Sequence, residues 1–306
     1  MIIREKENWL RMLFIWKGSV LPQILPRLSI LLVISILVVY FRGAFFNYKV
    51  QLNPGPFTLF GIALAIFLGF RNNVSYDRFW EGRKLWGSLL NTSRSLNRQS
   101  QTLVEQHSGM ETEVNIFVNY LISFTYTLKH QLRKTDPIDD LTRISGAVLA
   151  EKLRPAIYKP AMLIREMGVW VQQLRSKKMI DPMLTVSFDQ NLNELSNILG
   201  GCERIAGTPI PYTYKVLLHR TVYIYCFLLP FGFVDSLGWM MPVIVVFIAY
   251  TFVALEAVAD ELEDPFGIEP NDLALNSLCE MIENTLLEMS GREVIHKPIK
   301  NRHILD

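Results

Sequence analysis

Long stretches without charge alternate with long stretches dense in it. Leu28 to Phe41, Val50 to Phe70, Thr221 to Val234 and Ser236 to Leu255 contain no charged residue, whereas Arg71 to Arg220 carries charge on both sides of its apolar positions. The four uncharged runs are read as membrane helices, approximately 24–46, 53–71, 214–234 and 236–256. The region 72–213 and the C-terminal 257–306 are then a helical cytosolic part, all belonging to a single unit of 306 residues. Within it, Leu85, Leu89, Leu96 and Leu103 lie on a long amphipathic pattern, and a second such pattern, from Met183, ends where Gly200 and Gly201 interrupt it. Strand alternation is scarce. The predicted class is an all-α membrane protein.

One further segment tests that division. "VNIFVNYLISFTYTL", Val114 to Leu128, is also uncharged, but it contains two Asn, a Ser and two Thr. Its Phe117, Tyr120, Leu121, Phe124 and Leu128 recur at one-face spacing. This predicts a buried cytosolic helix; the alternative, a fifth span, would send the C-terminus outside.

The second run is the unusual one. Phe57 to Phe70 rises only about 21 Å as a helix, against a bilayer core of roughly 30 Å. The approach to it, "QLNPGPFTLF", is polar and proline-broken, and its far end continues into "RNNVSYDRFWEGRK" without a helix breaker. Ile62, Ile66 and Phe70 recur every fourth residue in one row, while Ala63, Ala65 and Gly69 place small residues on other faces. A row of this kind also suits a lipid-facing or core position. A helix wet at both ends and apolar between them fits a constricted aqueous pore, and a single helix encloses a pore only as part of a symmetric oligomer.

Charge sets orientation. Arg4, Lys6, Arg11 and Lys17 precede the first run, and Arg71, Arg78, Arg83 and Lys84 follow the second. The connection between those runs adds only Lys49 beyond Arg42, and Asp235 to Met241 has no Lys or Arg. The positive-inside rule then makes both termini and the central region cytoplasmic, in a multi-pass protein of the plasma (inner) membrane. A net charge of +2 with dispersed basic residues gives no case for nucleic acid as a partner. Cys202, Cys226 and Cys279 form no metal or redox spacing, and His107, His130, His219, His296 and His303 are scattered. With no carboxylate or histidine inside the uncharged runs, no P-loop and no dinucleotide fingerprint, an enzyme is not expected, and neither a metal nor a cofactor. Four spans without an inverted repeat argue against a secondary transporter.

Four motifs carry a resemblance across nearly the whole chain: "WKGS" at Trp16 to Ser19, "NPGPFTLFGIALAIFLGFRNNVSYDRFWEGRKLWG" at Asn53 to Gly87, "GTPIPYTY" at Gly207 to Tyr214, and "EDPFG" at Glu263 to Gly267. They resemble the bestrophin family, specifically its bacterial branch. The resemblance implies a homopentameric ion channel around one axial pore, with four membrane helices per subunit. It puts Ile62, Ile66 and Phe70 at the family's hydrophobic neck and Ile180, in "KKMIDPM", at its cytosolic aperture.

Two departures shape the expected behaviour. Animal members carry a run of acidic residues after "PFG" that binds an activating Ca²⁺; here "IEPNDLAL" retains only Glu269 and Asp272, too few for a cation that takes six to eight oxygens. Gating by Ca²⁺ of that kind is not expected. Animal members also have aromatic rings at the lower two neck positions, whose positive edges favour an anion. Ile66 is neutral toward sign, and some bacterial members pass monovalent cations, so the expectation is a Na⁺/K⁺-permeable pore. The alternatives are an anion channel of the animal type and a non-conducting membrane scaffold.

Overall fold

The computed structural model describes residues 8–16, 18–45, 48, 49, 52–105 and 109–294. Among the described residues the uncharged runs and amphipathic segments fold predominantly as helix: α1 (Trp9–Met12), α2 (Leu21–Tyr40), α3 (Pro54–Thr102), α4 (Met110–Arg133), α5 (Ile138–Ser145), α6 (Ala147–Leu153), α7 (Lys159–Ser176), α8 (Thr185–Gly207), α9 (Tyr212–Leu237), α10 (Met241–Glu263) and α11 (Leu275–Met289). Among the described residues the only strands are β1 (Ala44–Phe45) and β2 (Tyr48–Lys49), an antiparallel pair between α2 and α3. The chain divides into two units: residues 8–79 with 209–264, and residues 80–208 with 265–294.

In the first unit, α10 lies against α2 and α9, and α9 against α2. Their shared core includes Ile24, Val38, Val222, Leu229, Met241, Val245 and Ala249, with Leu64 and Leu68 of α3 joining it. Helix α3 approaches α9 at two glycines. A Cβ at Gly61 would come within 2.6 Å of the Tyr225 hydroxyl oxygen, and one at Gly232 within 2.8 Å of the Phe57 ring; small residues let helices meet this closely. Tyr225 fixes the contact by donating to the Phe57 carbonyl at 3.2 Å. Three helical stretches are long and apolar enough to cross a membrane: Leu21–Tyr40, Pro54–Thr102 and Tyr212–Glu263. The third contains α9 and α10, joined by a single 3₁₀ turn, Gly238–Met240, in which Gly238 has φ +51°. Since α10 packs back on α9, that stretch runs out and returns.

The α2 helix stops at Tyr40, short of the expected end at 46. Arg42 (φ 48°) and Gly43 (φ 71°) turn left-handed, and the Gly43 N–H reaches back to the Val38 carbonyl at 2.8 Å, closing the last turn. The expected break at Gly200 and Gly201 is absent, since α8 runs on to Gly207. A Cβ at Gly201 would lie 2.8 Å from the Leu85 side chain, so the glycine serves close packing inside a helix rather than ending it.

In the second unit α4 is the central helix, packed on α5, α7, α8 and α11. The uncharged stretch 114–128 lies within it and is buried over most of its length. Its polar side chains are satisfied locally: Thr125 donates to the Leu121 carbonyl at 3.1 Å, Thr127 to that of Phe124 at 3.0 Å, and Ser123 pairs with Ser145 at 2.8 Å. Phe117 stacks against Trp170 at 4.4 Å between centroids, and the indole N–H donates to the Glu113 carbonyl at 3.1 Å.

The interior also holds a charged network. Glu283 of α11 accepts from Tyr126 at 2.6 Å and from Arg143 at 2.6 and 3.2 Å. Next to it, Asp140 meets His130 at 3.0 Å, Lys129 at 3.3 Å and Arg143 at 3.5 Å. Burial by itself would raise the Asp140 carboxyl; the His130 hydrogen bond and the two cations outweigh it and hold the group at about 2.

Candidate pore-lining site

The membrane part of α3 buries one narrow line of residues. Leu64, Leu68, Arg71 and Ser75 are removed from solvent. At 3.6 residues per turn, Ile62, Ile66 and Phe70 lie about 170° around the helix from that line. They are exposed, at 56%, 53% and 61%. The three residues named from the sequence thus stand on a face that the chain leaves bare. Ala65 and Gly69 stand beside them, and a Cβ added to Gly69 would meet nothing within 4 Å.

The charges that follow the row are sorted by the same register. Arg71 turns inward, donating to Asp260 at 2.7 Å and approaching Glu263 at 3.5 Å, while Lys215 reaches Asp260 at 2.6 Å. Arg78 donates through Nε to the Glu263 carbonyl at 3.1 Å. Asn73 and Asp77 are exposed and continue the register of Ile62, Ile66 and Phe70; Lys84 recurs in it seven residues after Asp77. Sequence reading passed over Asp77, although its spacing of seven from Phe70 was available.

Ile180, in the turn between α7 and α8, is 2% exposed. The apolar side chain that this turn presents outward is Met183, 81% exposed. Asp181 holds the turn, its carboxylate accepting from the Met183 N–H at 2.7 Å.

After "PFG", Asp272 is buried and accepts from the Glu269 N–H at 2.8 Å. Among the described residues no group of three or more His, Cys, Asp or Glu is placed to hold a metal. All three cysteines are buried, and burial pushes the Cys202 thiol up to about 12. His130 and His219 each sit against a carboxylate; His107, His296 and His303, with the N-terminal Arg4 and Lys6 and also Lys17, lie outside the described residues.

The family model described as Bacterial/Fungal Bestrophin protein matches residues 1–288. The chain belongs to the bacterial bestrophin family. The voltage-dependent anion channel-forming protein RSc3414 of Ralstonia nicotianae is 48% identical over 291 residues, covering 95% of each chain. The voltage-dependent anion channel-forming protein YneE of Escherichia coli K12 is 40% identical over 304 residues, covering 99% of each. The crystal structure of a bacterial bestrophin homolog from Klebsiella pneumoniae superposes with a TM-score of 0.84 at 41% identity, spanning 88% of this chain and 99% of that one. Bestrophin membership makes this a predominantly helical membrane protein, and the relatives above are named as channel-forming proteins.

Proposed function

We propose that the protein is a homopentameric channel in which Ile62, Ile66 and Phe70 of five subunits ring one axial pore. The observation that carries this is the bare apolar row opposite the buried line of α3. In a ring of subunits each lining helix packs outward on its own subunit and turns the opposite face to the axis. Ala65 and Gly69, flanking the row, suit close approach of neighbouring copies. We further infer four membrane passes, made by α2, the first part of α3, α9 and α10. Residues 72–213 and 257–306 are cytosolic, and both termini face the cytoplasm of the inner membrane.

Stripping an ion costs several kcal/mol even after relaxation, so conduction requires a wet neck and gating by dewetting follows. Met183 takes the place of Ile180 as the candidate for a cytosolic constriction, on the strength of its exposure. Opening without Ca²⁺ of the animal kind fits the use of Asp272 to cap its own turn.

For the sign of the ion, the reading is a pore for monovalent cations. With Arg71 and Arg78 turned into their own subunit, the first charge on the row's face beyond Phe70 is Asp77. Five such carboxylates attract cations at the cytosolic mouth. The opposite sign is favoured by the relatives' names, which describe anion channel-forming proteins. The reversal potential of purified protein in planar bilayers under a NaCl gradient decides. A value near the Na⁺ potential supports the cation pore, and one near the Cl⁻ potential replaces it with an anion pore. Absence of current in these bilayers and of flux in liposomes favours the scaffold.

A further inference from the structure

Three helices of the membrane unit change from charged to uncharged at one level. On α2 the uncharged run begins directly after Arg27, on α9 it begins two residues before Tyr223, and on α10 it ends one residue before Glu256. A bilayer phosphate lies at such a border. From this level a groove of about 300 Å³ extends between α2 and α9 over α10, lined by Leu31, Ile34, Phe227, Ala249 and Val253, with Arg27 and Tyr223 at its mouth.

The charges at the mouth are unevenly matched. Glu256 is buried and pairs with His219 at 2.7 Å, and the His219 ring stacks on Tyr223 at 4.4 Å between centroids. Arg27 donates to the Tyr223 hydroxyl at 2.7 Å and lies 5.7 Å from that ring's centroid. Both contacts orient the guanidinium, and neither neutralises it; its partners among the described residues include no carboxylate. Arg71, by contrast, has two. An exposed, oriented guanidinium thus stands at the headgroup level, directly above an apolar slot.

We propose that this groove holds an acyl chain of an anionic phospholipid whose phosphate is bound by Arg27. The phosphate supplies the negative charge that Arg27 lacks and accepts a pair of hydrogen bonds in the planar geometry of a guanidinium. The slot takes the chain, its apolar side chains packing along the methylenes. Selectivity for anionic over zwitterionic lipid comes from the headgroup's net charge.

The full-length protein, purified in mild detergent, is titrated with phosphatidylglycerol or phosphatidylcholine, and bound lipid is counted by native mass spectrometry. Phosphatidylglycerol is expected to be retained in preference. Arg27→Gln should weaken its retention about fivefold, the order expected of one basic residue at an anionic surface. Arg27→Lys, which keeps the charge, should preserve most of it. Equal retention of the two lipids, or retention untouched by Arg27→Gln, overturns the assignment. So does a lipid-free Arg27→Gln protein that falls to a smaller oligomer, because the groove would then be covered by a second copy of the chain. Because the readout is lipid and not current, its failure leaves the pore reading standing, and a non-conducting protein would leave this site standing.

Discussion

The Arg71 guanidinium, one residue past Phe70, donates to the Asp260 carboxylate at 2.7 Å from a side chain that is fully enclosed. Glu263, at 3.5 Å, is its second acceptor. A cation so close to the bare row is thereby used up within its own chain. Removing one partner of a buried pair is costly because the other stays buried and charged. Arg71→Met is expected to destabilise the protein by about 3 kcal/mol, at the low end for buried pairs because Lys215 still reaches Asp260. Thermal unfolding in detergent measures it; an unchanged midpoint would show that the network contributes nothing to stability.

Asp77 should govern the sign of the permeant ion. Asp77→Asn removes five charges from the mouth of the proposed pore while leaving an exposed side chain of nearly the same size. The reversal potential in a NaCl gradient should move toward the Cl⁻ value, and more so at low ionic strength, where screening is weaker. A potential that does not move places the origin of selectivity elsewhere.

Ile180 and Met183, three residues apart, should behave oppositely. Ile180→Ala removes enclosed volume and is expected to cost about 2–4 kcal/mol of stability with little direct effect on conductance. Met183→Ala should leave stability within about 0.5 kcal/mol and raise conductance. The reverse pattern, with Ile180→Ala the one that conducts more at unchanged stability, would return the aperture to Ile180.

Acid should weaken the α4–α5 contact through Asp140. Its folded pKa, about 2, lies below the ordinary value of 3.8. Its stabilisation is therefore complete above pH 4 and is lost as the pH falls through 2. With the side chain 24% exposed, the contribution is about 1–2 kcal/mol after allowing for solvent screening. Comparing unfolding of the wild type and Asp140→Asn across that window tests it: the two curves should converge at low pH, and parallel curves would contradict the assignment.

The helical architecture was legible because charge clusters in this chain: uncharged runs of fourteen to twenty-one residues are rare in the interior of a soluble domain. That Ile62, Ile66 and Phe70 share one face was legible from spacing, since the helix runs without a break from Pro54 to Thr102 and keeps its register; that the face is bare was not. The end of α2 was hidden inside the continuous run "YFRGAFF", where only Arg42 and Gly43 carry the left-handed turn. The burial of Ile180 was out of reach for a different reason. The residue lies in a turn, where no periodicity tells an inward side chain from an outward one, and its burial depends on α7 and α8 meeting around it. Asp77 was visible in the sequence, but its significance depends on Arg71 and Arg78 finding Asp260 and the Glu263 carbonyl nearly two hundred residues away.

Single-channel recording of Ile66→Ala beside Leu64→Ala in planar bilayers decides whether the bare row on α3 faces the ion path. The two residues are neighbours on opposite sides of one helix, 53% and 2% exposed. Ile66→Ala should assemble normally and show a higher unitary conductance, while Leu64→Ala should lose about 2–4 kcal/mol of stability with its unitary conductance unchanged. A normally assembled Ile66→Ala protein with wild-type conductance would contradict the placement of this row at the pore.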